Sequence, residues 1–327
     1  MKAAIFSAKS FEKPFLIEAN QQYNHDLEFF DCVLNLQTVE LAKSFSVISC
    51  FVTDHLNKEV LQILATRGTK LITLRSAGFN HVDLLSAKKY GIHVTRVPEY
   101  SPYAVAEFAV GLILNLNRKI HRAYQLVKDH NFLLTHLLGF DLHGKTVGVV
   151  GTGKIGSVFA NIMKGFGCKL LAVDPVKNDQ CLKLGVEYVT LEELCQQSDI
   201  ISLHCPLNQQ TNHIINAEAI SKMKKNVMLI NTGRGALIDS QAIIQGLKSG
   251  QVGYLGLDVY EEEESLFFQD LSDVIIQDDV FIRLQTFPNV IITGHQAFFT
   301  KEALKNISEV TLKNITKYEN EEKLDEL

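Results

Sequence analysis

The most constraining feature of this sequence is a short apolar segment that runs directly into three closely spaced glycines. The segment Thr146–Val150 has the composition of a buried strand, and Gly151, Gly153 and Gly156 follow it before an apolar, helix-forming stretch. In a strand–turn–helix unit the first glycine permits the tight turn, the second lets a diphosphate approach the backbone, and the third lets the helix pack closely on the strand. The helix N-terminus also favours an anion, because its N–H groups are free and its dipole is positive there. The pattern predicts a dinucleotide-binding loop formed by Gly151, Thr152, Gly153, Lys154, Ile155 and Gly156.

A carboxylate further along the chain indicates which dinucleotide binds. Asp174 ends the next predicted strand and lies 18 residues after Gly156. There it can accept hydrogen bonds from the ribose hydroxyls of the adenosine and repel a 2′-phosphate, which favours NAD over NADP. A turn residue before Pro175 is the structural alternative, and the nearby Lys177 is the one feature that weakens the preference for NAD.

Short apolar runs alternate with amphipathic segments along the whole chain, which predicts repeated β-α units around parallel sheets. With 327 residues, 46% of them hydrophobic, the chain is too long for a single core. Candidate strands in the first hundred residues lie at 2–6, 46–52, 70–74 and 92–97, with helices at 55–67 and 83–90. Candidate strands in the second series lie at 146–150, 170–173, 199–205, 227–232, 254–259 and 290–293.

We therefore expect an α/β protein with two Rossmann-like or flavodoxin-like domains, each a doubly wound parallel sheet, and an active site in the cleft between them. Residues 1–100 and 297–327 are predicted to form the substrate (catalytic) domain, and residues 101–296 the NAD-binding domain. A helix that begins at residues 101–102 has an apolar face suited either to the core or to a dimer surface. Residues 260–287 are the most polar and least regular part.

Composition excludes several other classes of protein. The net charge of −5 and the scattered Lys and Arg residues give no support to nucleic-acid binding, which requires a clustered basic surface. Six cysteines at irregular spacings, without a Cys-x-x-Cys pair, indicate reduced thiols and no metal site. No signal peptide is evident, and the apolar stretch 104–116 is too short to span a membrane, so we expect a cytoplasmic location.

Polar groups follow three of the later strands, at the carboxyl ends where open α/β sheets bind ligands. Arg234 can hold a carboxylate with its planar guanidinium, although a surface arginine in a turn is the alternative. The next strand leads into four successive glutamates, and we interpret Glu261, Glu262 and Glu264 as solvated loop residues.

A histidine follows the last of these strands. We interpret His143 and His204 as satisfied core residues, the usual role of a lone histidine near a buried strand. His295 differs because Arg234 and the glutamate run follow neighbouring strands and are expected at the same edge of the sheet. This convergence makes His295 a candidate general acid.

Taken together, these segments resemble the D-isomer-specific 2-hydroxyacid dehydrogenase family, and within it the bacterial fermentative branch that forms D-lactate. The resemblance is carried by residues 75–80, 97–102, 151–156, 231–235, 257–261 and 294–298. These segments occur in one order along essentially the whole chain, which makes the match far more specific than the glycine pattern alone.

The resemblance implies roles for individual residues. Arg234 would bind the substrate carboxylate and polarise the keto oxygen, His295 would be the general acid, and Glu263 the carboxylate paired with it. Because the glutamate run is unbroken, Glu264 stays a second possibility for that partner. The remaining implied residues are the backbone N–H groups around Ala77 and Gly78, Tyr100 in the pocket, Phe298 or Phe299 on its apolar side, and Thr232 and Asp258 near the nicotinamide.

The expected reaction is the reduction of pyruvate to D-lactate by NADH. Negative charge that develops on the keto oxygen is stabilised by Arg234 while protonated His295 supplies the proton. We therefore expect kcat/KM for reduction to fall as rising pH removes that proton. Closure of the two domains is expected to exclude water before hydride transfer.

Two alternatives stay open at this point. A dehydrogenase for a larger branched-chain or aryl 2-keto acid would keep the same residues, whereas phosphoglycerate oxidation would call for additional cations. A regulatory, corepressor-like NAD-binding protein is less favoured, because the Arg, Glu and His set is present. The resemblance favours a homodimer or homotetramer, and it leaves cooperativity and physiological direction open.

Overall fold

The computed structural model describes all 327 residues and divides them into two compact units. The first unit comprises Met1–Ser101 and Phe299–Leu327, and the second comprises Pro102–Phe298. Each unit contains one fully parallel sheet, which confirms the predicted fold class of two α/β domains. No helix has both the length and the apolar composition needed to cross a membrane.

The strands are numbered along the chain. The first unit contains β1 (Lys2–Ile5), β2 (Asp26–Phe29), β3 (Val47–Cys50), β4 (Leu71–Leu74) and β5 (His93–Thr95). The second contains β6 (Thr146–Val150), β7 (Lys169–Val173), β8 (Glu187–Tyr188), β9 (Ile200–Leu203), β10 (Val227–Asn231), β11 (Val252–Leu257) and β12 (Val290–Ile292).

The helices are numbered in the same way. The first unit begins with α1 (Lys13–Asn20), α2 (Lys58–Thr66) and α3 (Leu84–Lys89). The second contains α4 (Pro102–Arg118), α5 (Ile120–Lys128), α6 (Lys154–Gly165), α7 (Asp179–Lys183), α8 (Leu191–Gln197), α9 (Ala217–Lys222), α10 (Ser240–Ser249) and α11 (Asp279–Gln285). The C-terminal helix α12 (Lys301–Glu319) belongs to the first unit.

Strand order defines where each sheet can bind a ligand. The first sheet has the order β2-β1-β3-β4-β5, which is the flavodoxin-like arrangement. The second has the order β12-β11-β10-β9-β6-β7-β8, the Rossmann arrangement extended by one strand. Its order reverses between β6 and β9, and ligands of such sheets bind beyond the carboxyl ends of the strands at that point.

Helices cover both faces of each sheet, as the near-continuous apolar strands require. In the first unit α1 and α12 pack on one face, while α2 and α3 pack on the other. In the second unit α4 and α6 cover one face, and α8, α9 and α10 cover the other. The loops at the carboxyl ends of the strands remain outside these layers and carry the predicted site residues.

Among the elements that the sequence did not predict are β2, α5 and α11. The edge strand β2 alternates exposed and half-buried residues, so it lacks the apolar run that identified the other strands. Helix α5 buries no residue in its own unit. Within the segment predicted to be irregular, Asp278 caps α11 by accepting a hydrogen bond from the Phe281 N–H at 2.9 Å.

The apolar face of α4 has a clear place in the fold. Val105, Leu112 and Leu116 are buried, and the helix packs against α6 within the second unit. The stripe is therefore core, which was one of the two interpretations. Exposed apolar side chains lie instead on the following segment, residues 120–138: Ile120, Tyr124, Val127, Phe132, Leu133, Leu134 and Leu138.

Candidate active site

The glycine loop after β6 has the spacing that a bound diphosphate needs. Gly151 has φ +94°, and a Cβ there would lie 2.5 Å from the backbone nitrogen of Cys205, in the loop after β9. A Cβ on Gly156 would lie 1.9 Å from the Gly151 carbonyl oxygen, so only glycine lets α6 pack this closely on the turn. The Cβ position of Gly153 is open, with no heavy atom within 4 Å. Because Gly153 is also the N-cap of α6 and has no side chain, no cap covers the helix N-terminus.

Asp174 lies against this loop at the end of β7. One carboxylate oxygen accepts hydrogen bonds from the N–H of Thr152 at 2.6 Å and from its hydroxyl at 3.2 Å, and the other accepts from the Val176 N–H at 2.9 Å. Sequence reasoning missed two residues that complete the arrangement. The Tyr188 hydroxyl donates to Thr152 Oγ1 at 2.9 Å, and Asn178 Nδ2 donates to the Thr152 carbonyl oxygen at 2.9 Å.

His204 closes the loop after β9 beside the glycines. Its ring packs 4.8 Å from that of Phe159, and Nε2 lies 2.9 Å from Ser202 Oγ, so the half-buried side chain is hydrogen-bonded as predicted. Burial lowers the pKa of His204 to about 3, so the imidazole is neutral. The interpretation of His143 as a core residue is wrong, since that side chain is exposed just before β6.

These features fit a dinucleotide. The uncapped N-terminus of α6 and the open Gly153 position would receive the diphosphate, and Asp174 would face the adenosine ribose. Thr232, directly after β10, is buried and its hydroxyl has no hydrogen-bond partner in the protein. This hydroxyl is therefore available to form a hydrogen bond with a ligand.

The loop that carries Arg234 is shaped by Asn231, the last residue of β10. Its side-chain oxygen accepts from the Gly233 N–H at 3.0 Å, and Nδ2 donates to the Arg234 carbonyl oxygen at 2.8 Å. The next residue, Gly235, packs directly on the following loop, because a Cβ there would lie 2.0 Å from the Tyr260 carbonyl carbon. Arg234 is thus half-buried at the carboxyl edge of the sheet, beside the loop that follows β11.

His295 and Glu263 are brought together from separate loops of the second unit. His295 Nδ1 lies 2.7 Å from Glu263 Oε1, with both side chains largely shielded from solvent. The other oxygen of Glu263 accepts a hydrogen bond from the Tyr260 N–H at 2.9 Å. In this structure Glu263, and not the neighbouring Glu264, is the residue paired with the imidazole.

Asp258 holds the turn that presents His295. Its carboxylate accepts hydrogen bonds from Thr293 Oγ1 at 2.6 Å, from the Gln296 N–H at 2.9 Å and from the Ala297 N–H at 2.8 Å, and its backbone oxygen accepts from the His295 N–H at 2.7 Å. Burial raises the pKa of Asp258, and these donors oppose that rise. Such support allows His295 to adopt φ +52°, a left-handed conformation that is uncommon for a non-glycine residue.

One glutamate of the acidic run was misinterpreted. Glu261 is not a solvated loop residue, because one carboxylate oxygen lies 2.6 Å from His213 Nε2 and the other accepts from the Ser240 hydroxyl at 2.7 Å. His213 is 48 residues away in sequence, so no local pattern could have indicated this pair. This ion pair joins the loop after β11 to the segment that contains His213. The His213 N–H also donates to the Ala236 carbonyl oxygen at 2.8 Å.

Aromatic rings surround His295 in the second unit. The ring of Phe268 lies 5.7 Å from the imidazole, and that of Phe298 lies 6.4 Å away, nearly perpendicular to it. Phe268 has φ +62°, so an unfavourable backbone conformation directs this ring. No sequence pattern singled out Phe268.

The first unit presents the predicted substrate-binding backbone at its own carboxyl edge. Ala77 and Gly78 follow β4, and Tyr100 follows β5. The Tyr100 carbonyl oxygen accepts a hydrogen bond from Asn306 Nδ2 of α12 at 2.8 Å. Phe299 packs its ring 4.9 Å from that of Phe11 in the same unit.

Comparisons with known proteins agree with this geometry. Residues 110–297 match the family model described as "D-isomer specific 2-hydroxyacid dehydrogenase, NAD binding domain". The chain is 51% identical over 319 residues to the D-lactate dehydrogenase of Escherichia coli, covering 98% of this chain and 97% of that protein.

Solved structures give the same result. The apo-structure of the Escherichia coli D-lactate dehydrogenase superposes with a TM-score of 0.91 at 48% identity, covering 100% of this chain and 99% of that one. A structure from work identifying the pyruvate reductase of Chlamydomonas reinhardtii superposes with a TM-score of 0.94 at 44% identity, covering 99% and 98%. The chain therefore belongs to the D-isomer-specific 2-hydroxyacid dehydrogenase family and is an NAD-dependent D-2-hydroxyacid dehydrogenase.

Proposed function

We propose that the enzyme reduces pyruvate to D-lactate, with His295 as general acid and Arg234 as the residue that binds the substrate. The observation that carries this proposal is the pair formed by His295 Nδ1 and Glu263 Oε1 at 2.7 Å, in the sheet that also delivers Arg234. An imidazole held by a carboxylate at one nitrogen presents its other nitrogen for proton transfer. The same logic orients histidines in other enzymes that use a fixed His–carboxylate pair.

The cofactor residues are part of the proposal. Gly151–Gly156 with Thr152 at its centre would hold the diphosphate, Asp174 the ribose, and Thr232 and the turn at Asp258 would lie next to the nicotinamide. NAD supplies a hydride donor or acceptor when bound there. The additional donors of Asn178 and Tyr188 keep Thr152, and through it Asp174, in place.

Each catalytic residue has a defined task in reduction. Arg234 offers a planar set of N–H donors that can hold a carboxylate and stabilise negative charge as it develops on the keto oxygen. His295, bonded to Glu263 through Nδ1, donates its proton from Nε2 to that oxygen. In the oxidative direction the same nitrogen accepts the proton, as microscopic reversibility requires. Ala77, Gly78 and Tyr100 are proposed to bind the substrate from the first unit.

Two observations support a small substrate. The relatives named above are a D-lactate dehydrogenase and a structure from work on a pyruvate reductase. In addition, the rings of Phe268 and Phe298 stand close to His295 and limit the space on that side. A larger branched-chain or aryl 2-keto acid is the second candidate, since added methylenes change discrimination by only about 10–200-fold.

The test follows NADH oxidation by purified protein with pyruvate, with 2-ketoisocaproate and with phenylpyruvate, and determines the chirality of the product. We expect the highest kcat/KM with pyruvate, D-lactate as product, and loss of most activity in His295→Ala. His143→Ala is the matched control, because His143 is an exposed histidine of the same unit. A preference for a bulkier 2-keto acid would change the proposed substrate and leave the proposed mechanism intact. NADH binding without turnover would indicate the corepressor-like alternative.

We also propose that the enzyme is a homo-oligomer, dimer or tetramer, formed through residues 120–138. Leu134 and Leu138 are 80% and 87% exposed in the single chain, and large apolar patches of this kind mark interaction surfaces. Light scattering coupled to gel filtration should give a multiple of the 36.6 kDa chain mass, reduced in Leu134→Glu. Leu85→Glu is the control, because Leu85 is 85% exposed in the other unit and should leave the mass unchanged. A monomeric wild type would refute this surface.

A further inference from the structure

In the loop after β4, two successive carbonyl groups each accept a hydrogen bond from a side chain. The Ala77 carbonyl oxygen accepts a hydrogen bond from Arg96 Nη1 at 2.7 Å. The Gly78 carbonyl oxygen accepts one from the Ser76 hydroxyl, also at 2.7 Å. Consecutive peptide groups of this loop are therefore each fixed by one donor.

Fixing the carbonyl of a trans peptide also fixes the N–H of the next residue, because the group is planar and the two bonds point in opposite directions. The bond from Arg96 turns the Gly78 N–H away from the guanidinium, and the bond from Ser76 turns the Phe79 N–H away from the hydroxyl. Neither N–H donates to an acceptor in the structure. The loop thus presents two successive N–H donors without partners at the carboxyl edge of the sheet, and successive N–H groups can bind an anion.

Arg96 is held in place to make this contact. Its own carbonyl oxygen accepts a hydrogen bond from Asn314 Nδ2 of α12 at 3.3 Å, and its guanidinium lies 5.2 Å from the centre of the Phe79 ring. It takes part in no ion pair. The guanidinium is therefore not paired with a carboxylate, and it lies on the carbonyl side of the peptide that carries the Gly78 N–H.

The other arginine of the loop is neutralised. Arg75 is fully buried and donates to both carboxylate oxygens of Glu12, at 3.1 and 2.9 Å, and to the Phe6 carbonyl oxygen at 2.7 Å. This ion pair anchors the base of the loop to α1 and the end of β1. Arg96 is consequently the uncompensated charge at the loop.

We propose that Arg96 is a positioning residue for the substrate carboxylate, which acts through the peptide between Ala77 and Gly78. A charged donor on a carbonyl polarises the peptide and strengthens its N–H as a donor. Arg96 thereby orients the Gly78 N–H and makes it a stronger hydrogen-bond donor to an anion. Ser76 orients the Phe79 N–H in the same way, without adding charge. The inference rests on the proposed function only in requiring that the carboxylate of a 2-keto acid binds these N–H groups.

A series at Arg96 separates its charge from its hydrogen bond. Arg96→Lys keeps charge and donor, Arg96→Gln keeps a donor without charge, and Arg96→Met removes both. We expect KM for pyruvate to rise in that order, by about 2-fold, 5-fold and 20-fold, with a smaller change in kcat. Calorimetric titration of the enzyme–NADH complex with oxamate should show the same order in Kd, while Kd for NADH stays at the wild-type value.

Two further variants make the result specific. Ser76→Ala removes the hydrogen bond to the Gly78 carbonyl oxygen and should raise KM for pyruvate without changing the charge of the loop. Arg67→Met is the control, because Arg67 is an exposed arginine of the same unit bonded to Glu40 and should leave KM unchanged. Thermal unfolding of every variant shows whether it is folded.

The outcomes distinguish this proposal from the proposed function. Unchanged KM and unchanged oxamate affinity across the Arg96 series, in an active wild type, would overturn the positioning role and leave the reaction intact. Melting temperatures that fall while KM stays constant would assign Arg96 a purely structural role. If wild type reduces only a larger 2-keto acid, the same series with that acid applies, since every such substrate carries the carboxylate.

Discussion

His295 Nδ1 lies 2.7 Å from Glu263 Oε1, and the second oxygen of that carboxylate is held at 2.9 Å by the Tyr260 N–H. The imidazole is therefore oriented by a group that is itself fixed to the backbone. Two loops that follow neighbouring strands, β11 and β12, meet at this contact. The orientation of the ring is therefore set by contacts within the second unit.

Removing the charge of Glu263 should weaken proton transfer. Glu263→Gln keeps the size of the side chain but offers His295 no anionic partner, so the imidazolium loses its stabilising charge. We expect kcat for pyruvate reduction to fall by about 100-fold. Steady-state kinetics with saturating NADH and pyruvate measure this change.

The acidic run supplies the control for that variant. Glu262 is exposed and lies one residue away, so Glu262→Gln makes the same change of charge without touching His295. It should keep the wild-type kcat. Equal losses in the two variants would mean that the local negative potential matters and the specific pair does not.

Two glycines of the Arg234 loop should differ sharply in tolerance. A Cβ on Gly235 would lie 2.0 Å from the Tyr260 carbonyl carbon, whereas the nearest atom to a Cβ on Gly233 is a leucine methyl at 3.4 Å. Gly235→Ala should push apart the loops of Arg234 and Glu263, and a misplacement of about 1 Å can cost about 100-fold in rate. Gly233→Ala should stay near wild type in kcat/KM, and a comparable loss in both variants would contradict the packing argument.

Substitutions at Gly156 and Gly153 should distinguish the role of the cofactor loop in helix packing from its role in NADH binding. A Cβ on Gly156 would lie 1.9 Å from the Gly151 oxygen, so Gly156→Ala should lower stability by about 1–3 kcal/mol and weaken NADH binding as well. The Gly153 position is open in the protein alone, so Gly153→Ala should cost about 1 kcal/mol or less through its N-cap position. Its Cβ would nevertheless stand where the diphosphate approaches, and Kd for NADH should rise at least tenfold. Thermal unfolding and fluorescence titration with NADH measure the two effects.

Acid should destabilise the enzyme through His204. Burial lowers its folded-state pKa from the ordinary value of 6.5 to about 3. Between these two pH values the imidazole is protonated in the unfolded chain and neutral in the folded chain. The stabilisation is complete above pH 6.5 and is lost as pH falls from there toward 3. Unfolding by urea at a series of pH values should show a steeper loss in wild type than in His204→Gln.

The exposed His143 provides the comparison for that experiment. Because the His143 side chain is exposed, His143→Gln should follow the wild-type curve. A His204→Gln curve parallel to wild type through this range would show that the imidazole is not held neutral.

The sequence by itself determined the features that depend on neighbouring residues. The strand composition of Thr146–Val150 and the spacing of Gly151, Gly153 and Gly156 predicted a strand–turn–helix unit, and the structure contains it. The sequence was sufficient because the positive φ of Gly151 and the packing of Gly156 on the Gly151 carbonyl involve residues close together in the chain. Apolar runs likewise identified the buried strands of both sheets, since a strand covered on both faces needs a continuous apolar segment. An alternating edge strand such as β2 carries no such run and escaped detection.

Tertiary structure decided which polar groups meet. Glu263 and Glu264 are adjacent and chemically identical, and only the path of the loop after β11 brings the first of them to His295. Asp258 also anchors the His295 turn, through contacts with residues 38 and 39 positions away in sequence. The contact of Arg96 with the Ala77 carbonyl depends in the same way on the meeting of the loops after β4 and β5. The physical reason is one of range: helix, strand and turn preferences act over a few residues, whereas a hydrogen bond between distant segments exists only after strand order and packing have placed its two atoms within 3 Å or so.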